Sequence, residues 1–236
     1  MQWPRFLLSD NHYRLQRLRH CPTGTALHHF LSTPFPDPNT PSRQVPIVAI
    51  DLETTGLKAK EDDILSIGLL HLNGEIIELQ QSLHLLVRPA QAIPEPSAII
   101  HGITDTDAAA GLPLEEALNQ ILPLIAGRVM LAHHAAMELN FIGRAIEIIY
   151  GCRWIVPVID TEWLARRQMQ RRNLPIRRGD LRLATLRQHA QLPLYRAHNA
   201  LSDALATAEL FLVQREQLTG GKDLPLKRLL YPRAGL

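Results

Sequence analysis

Apolar residues change their spacing several times along this chain, and each change marks an element. VPIVAID, ending at Asp51, is a short, unbroken, β-branched run, the pattern of a buried strand whose carboxyl end carries an acid. DILSIGLLHL and IIELQQSLHLLV follow as two more strands. The Asn73-Gly74 pair between them is a strong hairpin signal, so three consecutive antiparallel strands are expected. Past Pro94 and Pro96 the spacing turns helical, with apolar residues of PLEEALNQILPLIAG at 114, 117, 118, 121, 122 and 125. RVMLAH reads as a strand, AAMELNFIGRAIEIIYG as a helix, and WIVPVID as a strand in which Pro157 signals an edge or an irregularity. Three helical stretches complete the pattern: TEWLARRQMQR, DLRLATLRQHA and ALSDALATAELFLVQREQ. The order β-β-β-α-β-α-β-α-α-α predicts an α/β fold, a mixed five-stranded sheet flanked by helices.

The flanks differ from this core. Phe6, Leu7, Tyr13, Leu15, Leu18, Leu27, Phe30 and Leu31 recur at helical spacing among Arg and His, which predicts a short helical N-terminal appendage. The Pro-crowded TPFPDPNTPSRQVP cannot sustain a helix and places a linker and boundary near residue 44. The expected organisation is therefore an appendage with its linker over 1–44, a catalytic domain over 45–219 and a basic surface tail over 220–236.

Composition narrows the classes. With 236 residues, 46% of them hydrophobic, the chain can bury one substantial core. Its net charge is only +2, so attraction for a polyanion has to come from local clusters. One cluster is evident: Arg166, Arg167, Arg171, Arg172, Arg177, Arg178, Arg182 and Arg187 face only Glu162 and Asp180 as local acids. That is either a phosphate-steering face or a solvated helical surface. Cys21 and Cys152 are distant in sequence and lack metal-ligand spacing, which predicts ordinary thiols in a reducing compartment. No secretory signal or membrane-length apolar run is present, and a soluble cytoplasmic protein without membrane contact is expected.

Asp51 and Glu53 carry the first chemistry. Side chains two apart on a strand share a face, so both carboxylates project together while Leu52 points the other way. An isolated D-x-E is commonly a solvated strand end; its significance here depends on later residues. In HNALSDA, Asn199 is placed to cap a helix, with Asp203 in the first turns and His198 on the loop before it. A loop histidine beside clustered carboxylates suits general-base work, and clustered carboxylates suit hard divalent cations.

VAIDLETTGL at 48–57 and HNALSDA at 198–204, with IHGIT at 100–104 and IDTEWLAR at 159–166 between them, resemble the DEDDh exonucleases. These are the proofreading epsilon-subunit-like branch of the ribonuclease H-like superfamily, and the resemblance spans roughly residues 45–218 in the right order. It implies two divalent ions, Mg²⁺ or Mn²⁺, held by Asp51, Glu53, Glu138 and Asp203, with His198 as general base. Substrate contacts are implied at Thr54, Thr55, Leu57 and His101, IHGIT being the family's substrate-side loop. His133 is read either as a pocket residue or as a packing residue. The second motif departs from the family: HHAAMEL has His134, Met137 and Glu138 where Asn, Phe and Asp are usual, so one carboxylate is a methylene longer.

The activity these features imply is 3′-to-5′ exonuclease action on a nucleic-acid 3′ end, with single-stranded DNA favoured and RNA a live variant. The alternative is a catalytically weakened module of the same fold, in which the N-terminal helices or basic tail contact a protein partner.

Overall fold

The computed structural model describes residues 9–232; Phe6, Leu7 and Arg233, part of the expected flanks, lie outside them. Five strands form one sheet in the order β3-β2-β1-β4-β5. They are β1 (Pro46–Thr54), β2 (Ile64–Asn73), β3 (Ile76–Leu86), β4 (Val129–Ala132) and β5 (Val158–Asp160). β1, β2 and β3 run antiparallel, whereas β4 and β5 run parallel to β1. This is the mixed sheet expected, with the Asn73-Gly74 turn in place and Gly74 at φ 64°. WIVPVID yields a strand only after Pro157, so β5 is a three-residue edge strand.

The helices are α1 (Asp10–Leu18), α2 (Ala26–Ser32), α3 (Glu95–His101), α4 (Asp105–Ala109), α5 (Leu114–Ile125), α6 (Ala136–Tyr150), α7 (Thr161–Arg171), α8 (Leu183–His189) and α9 (Ala200–Thr219). IHGIT is not one loop. His101 ends α3, left-handed Gly102 (φ 72°) caps it, and Thr104 opens α4 with a capping box.

Strand alternation divides the interior into two layers. Val48, Ile50 and Leu52 of β1 pack with apolar residues of α2, α5 and α6. Ile47 and Ala49 point to the other face, against Leu164 of α7 and Ala204, Ala208 and Phe211 of α9. Asp51 and Glu53 continue this second series, so they emerge where the α9 layer meets the carboxyl ends of β1, β4 and β5.

The N-terminal segment belongs to the first layer. Leu27, Phe30 and Leu31 are fully buried in the same cluster as α5. Burial of three large apolar side chains stabilises by roughly 5–9 kcal/mol, comparable with a domain's whole net stability. The Pro-rich segment is anchored too: Asn11 Nδ2 donates to Phe35 O at 3.0 Å, and Phe35 N donates to Asn11 Oδ1 at 2.9 Å. Pro41 bridges to Pro225, while Leu226 and Leu229 are buried in the α9 layer. The described residues before 44 and after 220 therefore pack on the body of the fold. Among the described residues no helix is long and apolar enough to cross a membrane.

Candidate active site

Two elements deliver three of the expected groups to one point. At the end of β1 the pairing with β2 shifts between Glu53 and Thr54, a local irregularity beside the carboxylates. Opposite Asp51 in that register stands Gly68, and a β-carbon built on it would meet Ala200 C at 2.1 Å and Leu201 N at 2.2 Å. The start of α9 can therefore lie directly on the sheet. Asn199 caps that helix as expected, accepting from Ser202 N at 3.1 Å. His198 sits in the left-handed region (φ 66°), a strained conformation for a residue with a side chain, and its N–H donates to Asp203 Oδ2 at 2.8 Å. Its ring is exposed. Ligand atoms of Glu53, His198 and Asp203 lie within 4.8 Å of one another.

Glu138 comes from the first turn of α6 and is no surface acid: it is 3% exposed, and its Oε2 has no hydrogen-bond partner among the described residues. Desolvation pushes its carboxyl up to about 8, with the charge of Asp160 adding to the rise. Burial likewise lifts Glu53 to about 7, helped by Asp203. Asp51 stands well above the usual carboxylate range, first through burial and then through Glu138, Asp203 and Glu53. Asp203 is raised by burial despite the opposing His198 backbone bond. Carboxylates so crowded and so dry are stable as anions only with a cation among them. The oxygen-only carboxylate set and the orphaned Glu138 oxygen fit a hard divalent ion.

One supporting residue was not foreseen. Asp160, at the end of β5, accepts four backbone N–H groups: His134 (3.1 Å), Ala135 (3.1 Å), Glu162 (2.9 Å) and Trp163 (3.3 Å). It thereby caps α7 and fixes the turn from which α6 carries Glu138. Its only local signal is an acid directly before the helical TEWLARR, an N-cap pattern.

A cleft of about 1260 Å³ opens over the carboxylates, and Thr54, Thr55, Leu57, His101 and His133 all line it. Leu57 is 84% exposed at the rim. His133 is tied down at both nitrogens, Nε2–H donating to Leu181 O (3.0 Å) and Nδ1 accepting from Thr161 Oγ1 (2.8 Å). His133 thus lines the cleft with both ring nitrogens already engaged inside the protein. His101 is similarly engaged: Ile103 N donates to Nδ1 (3.0 Å), so Nε2–H donates to Ser97 Oγ (2.9 Å), which donates to Thr54 O (2.9 Å). Through Ser97 it is linked to the Thr54 backbone.

The arginine cluster splits. Arg166, Arg177, Arg178 and Arg182 line the cleft, but Arg167 packs over Trp163. Arg187 is 2% exposed and spent on Pro193 O, Ala206 O and Glu209. Arg187 thus leaves the steering face for a structural role.

Comparisons with known proteins agree with this geometry. The RNase T family model, described as exonuclease, matches residues 48–211. A PolC-type DNA polymerase III of Thermotoga petrophila is 31% identical over 166 residues, covering 70% of this chain and 11% of that polymerase. The chain therefore spans about a tenth of the length of such relatives. DNA polymerase III subunit epsilon of Treponema pallidum is 30% identical over 167 residues, 71% of this chain and 75% of that subunit. Among solved structures, the nuclease domain of 3′hExo, a DEDDh family member bound to rAMP, gives a TM-score of 0.63 at 14% identity. It covers 82% of this chain and 100% of that domain. At that identity the likeness is one of fold.

Proposed function

This chain belongs to the RNase T exonuclease family, and we propose that its cleft removes nucleotides from the 3′ end of nucleic acid, single-stranded DNA first. Asp51, Glu53, Glu138 and Asp203 would hold two divalent ions, Mg²⁺ or Mn²⁺. When bound, such ions supply an activated water and charge neutralisation at the scissile phosphate and leaving oxygen. His198, exposed beside Glu53 and Asp203, accepts the proton of the attacking water through its ring. Asp203 orients that histidine by holding its backbone N–H. Leu57 and the Thr54–Thr55 backbone meet the terminal nucleotide, and Arg177, Arg178 and Arg182 draw the phosphate chain into the cleft.

The observation that carries this reading is the buried Oε2 of Glu138, without a hydrogen-bond partner among the described residues, facing the desolvated Asp51 that also feels Glu53 and Asp203. A relic of a lost site would be expected to pair that acid or bring it to the surface. The named relative that is a DNA polymerase subunit supports DNA; rAMP in 3′hExo keeps RNA as an arm of the test. That test compares mononucleotide release from labelled single-stranded DNA, duplex DNA and short RNA, with Mg²⁺, with Mn²⁺ and with chelator. Metal-dependent release from 3′ ends, fastest on single-stranded DNA, is expected. No release on any arm would leave the weakened binding module in its place.

A further inference from the structure

Tyr195 lies on the segment between α8 and α9, three residues before His198. Even fully extended, three residues span at most ~11 Å, so its ring stands within reach of the nucleotides next to the reaction centre. It lines the cleft and is 38% exposed. An exposed aromatic on an irregular segment would ordinarily swing freely, yet this one is held from behind. Its hydroxyl donates to Glu209 Oε1 at 2.9 Å, and the Arg187 guanidinium lies 4.6 Å from the ring centroid.

Arg187 is itself fixed. Its Nη1 donates to Ala206 O at 2.6 Å, while Nε and Nη2 donate to Pro193 O at 3.2 and 2.6 Å. Nη2 also pairs with Glu209 Oε2 at 2.7 Å. A buried arginine and a helix acid are thus committed to the back of one cleft-facing ring. Such an arrangement removes the ordering cost before a ligand arrives. The ligand chemistry that profits is a flat π-face, and a nucleobase supplies one whatever its identity.

We infer that Tyr195, braced by Arg187 and Glu209, is a stacking platform for a base near the 3′ end of the bound strand. It makes the cleft selective for unpaired bases without making it sequence-specific. This rests on the exonuclease reading above. A residue that merely tied the segment to α9 would need the hydroxyl and not the ring; a platform needs the ring above all, since Arg187 still backs it when the hydroxyl bond to Glu209 is gone.

The test measures binding of a labelled single-stranded oligonucleotide by the full chain, with Ca²⁺ replacing Mg²⁺. The base is removed in turn at each of the three 3′-terminal positions. Tyr195→Phe should bind within about twofold of the parent, and Tyr195→Leu roughly 5- to 100-fold more weakly. At one position the abasic strand should cost the parent a similar factor and cost Tyr195→Leu nothing more. Independent, multiplying losses at all three positions, or a Tyr195→Phe as poor as Tyr195→Leu, would overturn the platform alone. No binding of any strand by the parent would overturn the platform together with the exonuclease reading. Melting temperatures of both variants show whether each remains folded.

Discussion

Gly68 stands opposite Asp51 in the sheet, and the space its missing side chain leaves is filled by the backbone of Ala200, 2.1 Å from where a β-carbon would be. The contact is with backbone atoms, which cannot rotate aside. The approach of α9 to the sheet, and with it the distance from Asp203 and His198 to Asp51 and Glu53, is set at this position.

Gly68→Ala should therefore lift the start of α9. Metal-dependent nucleotide release is expected to fall at least tenfold, since sub-ångström placement matters at such sites. The melting temperature should fall by several degrees, in the range overpacking costs, about 1–3 kcal/mol. Steady-state rates beside thermal melts check it, and a fully active Gly68→Ala would disprove the control assigned to this contact.

The raised carboxyls make stability depend on pH in an unusual direction. With Glu53 near 7 and Glu138 near 8 in the fold, against 4.5 ordinarily, the folded chain keeps protons that the unfolded chain has released. Without metal, stability should be fullest below about 4.5 with respect to these groups and decline as pH rises towards about 8. Millimolar Mn²⁺ should reverse the decline at pH 8, raising the melting temperature by about 5 °C or more. Melts across pH 5–8, with chelator or with Mn²⁺, would expose the error if the metal-free curve rose instead.

Removing His198 should separate turnover from binding. His198→Ala is expected to cut release about 10²- to 10⁴-fold, the usual share of general-base catalysis, while strand affinity stays within a few-fold. Single-turnover rates and equilibrium binding, measured side by side, decide it; equal losses in both would assign the ring to binding.

Glu138 answers two substitutions differently. Glu138→Ala should reduce activity to background. Because Asp160 holds the start of α6 in place, Glu138→Asp stands ~1.5 Å short, and Mn²⁺ should rescue it better than Mg²⁺, which demands stricter geometry. Metal titrations of both variants provide the readout, and an unimpaired Glu138→Ala would remove this acid from the site.

The cleft arginines should act through salt. Arg177→Ala with Arg178→Ala is expected to flatten the slope of log affinity against log salt by about 1.4 for a single strand, leaving the melting temperature unchanged. Arg187→Ala should do the opposite, lowering stability with little change in slope, because its donors are spent inside the protein.

Local pattern revealed most of the frame. Asp51 and Glu53 were legible because two-residue alternation is a property of any strand, and Asn199, Asp203 and His198 because a helix cap is written in adjacent residues. The supports were not. Asp160 meets His134 and Ala135 across 26 and 25 residues of chain, and Arg187 meets Ala206 across 19. No periodicity reports such pairings. The same holds for α2, whose helical spacing was readable although its burial against α5 was not, since burial depends on what the rest of the chain leaves open. Glu138 shows the limit most sharply: the sequence displays a longer acid in an unusual motif, and only the fold shows it buried with one oxygen unclaimed among the described residues.

The division of β1 between two layers also bears on how this protein can diverge. One residue inserted or deleted between Ile47 and Asp51 would turn both carboxylates towards α5 and α6 and present aliphatic side chains to α9. Homologues can exchange one aliphatic for another along this strand at modest cost, but an insertion or deletion there reverses inside and outside at a stroke. Length variation in the lineage should therefore gather in segments such as 173–182, where no ladder keeps count, and be missing from the nine residues of β1.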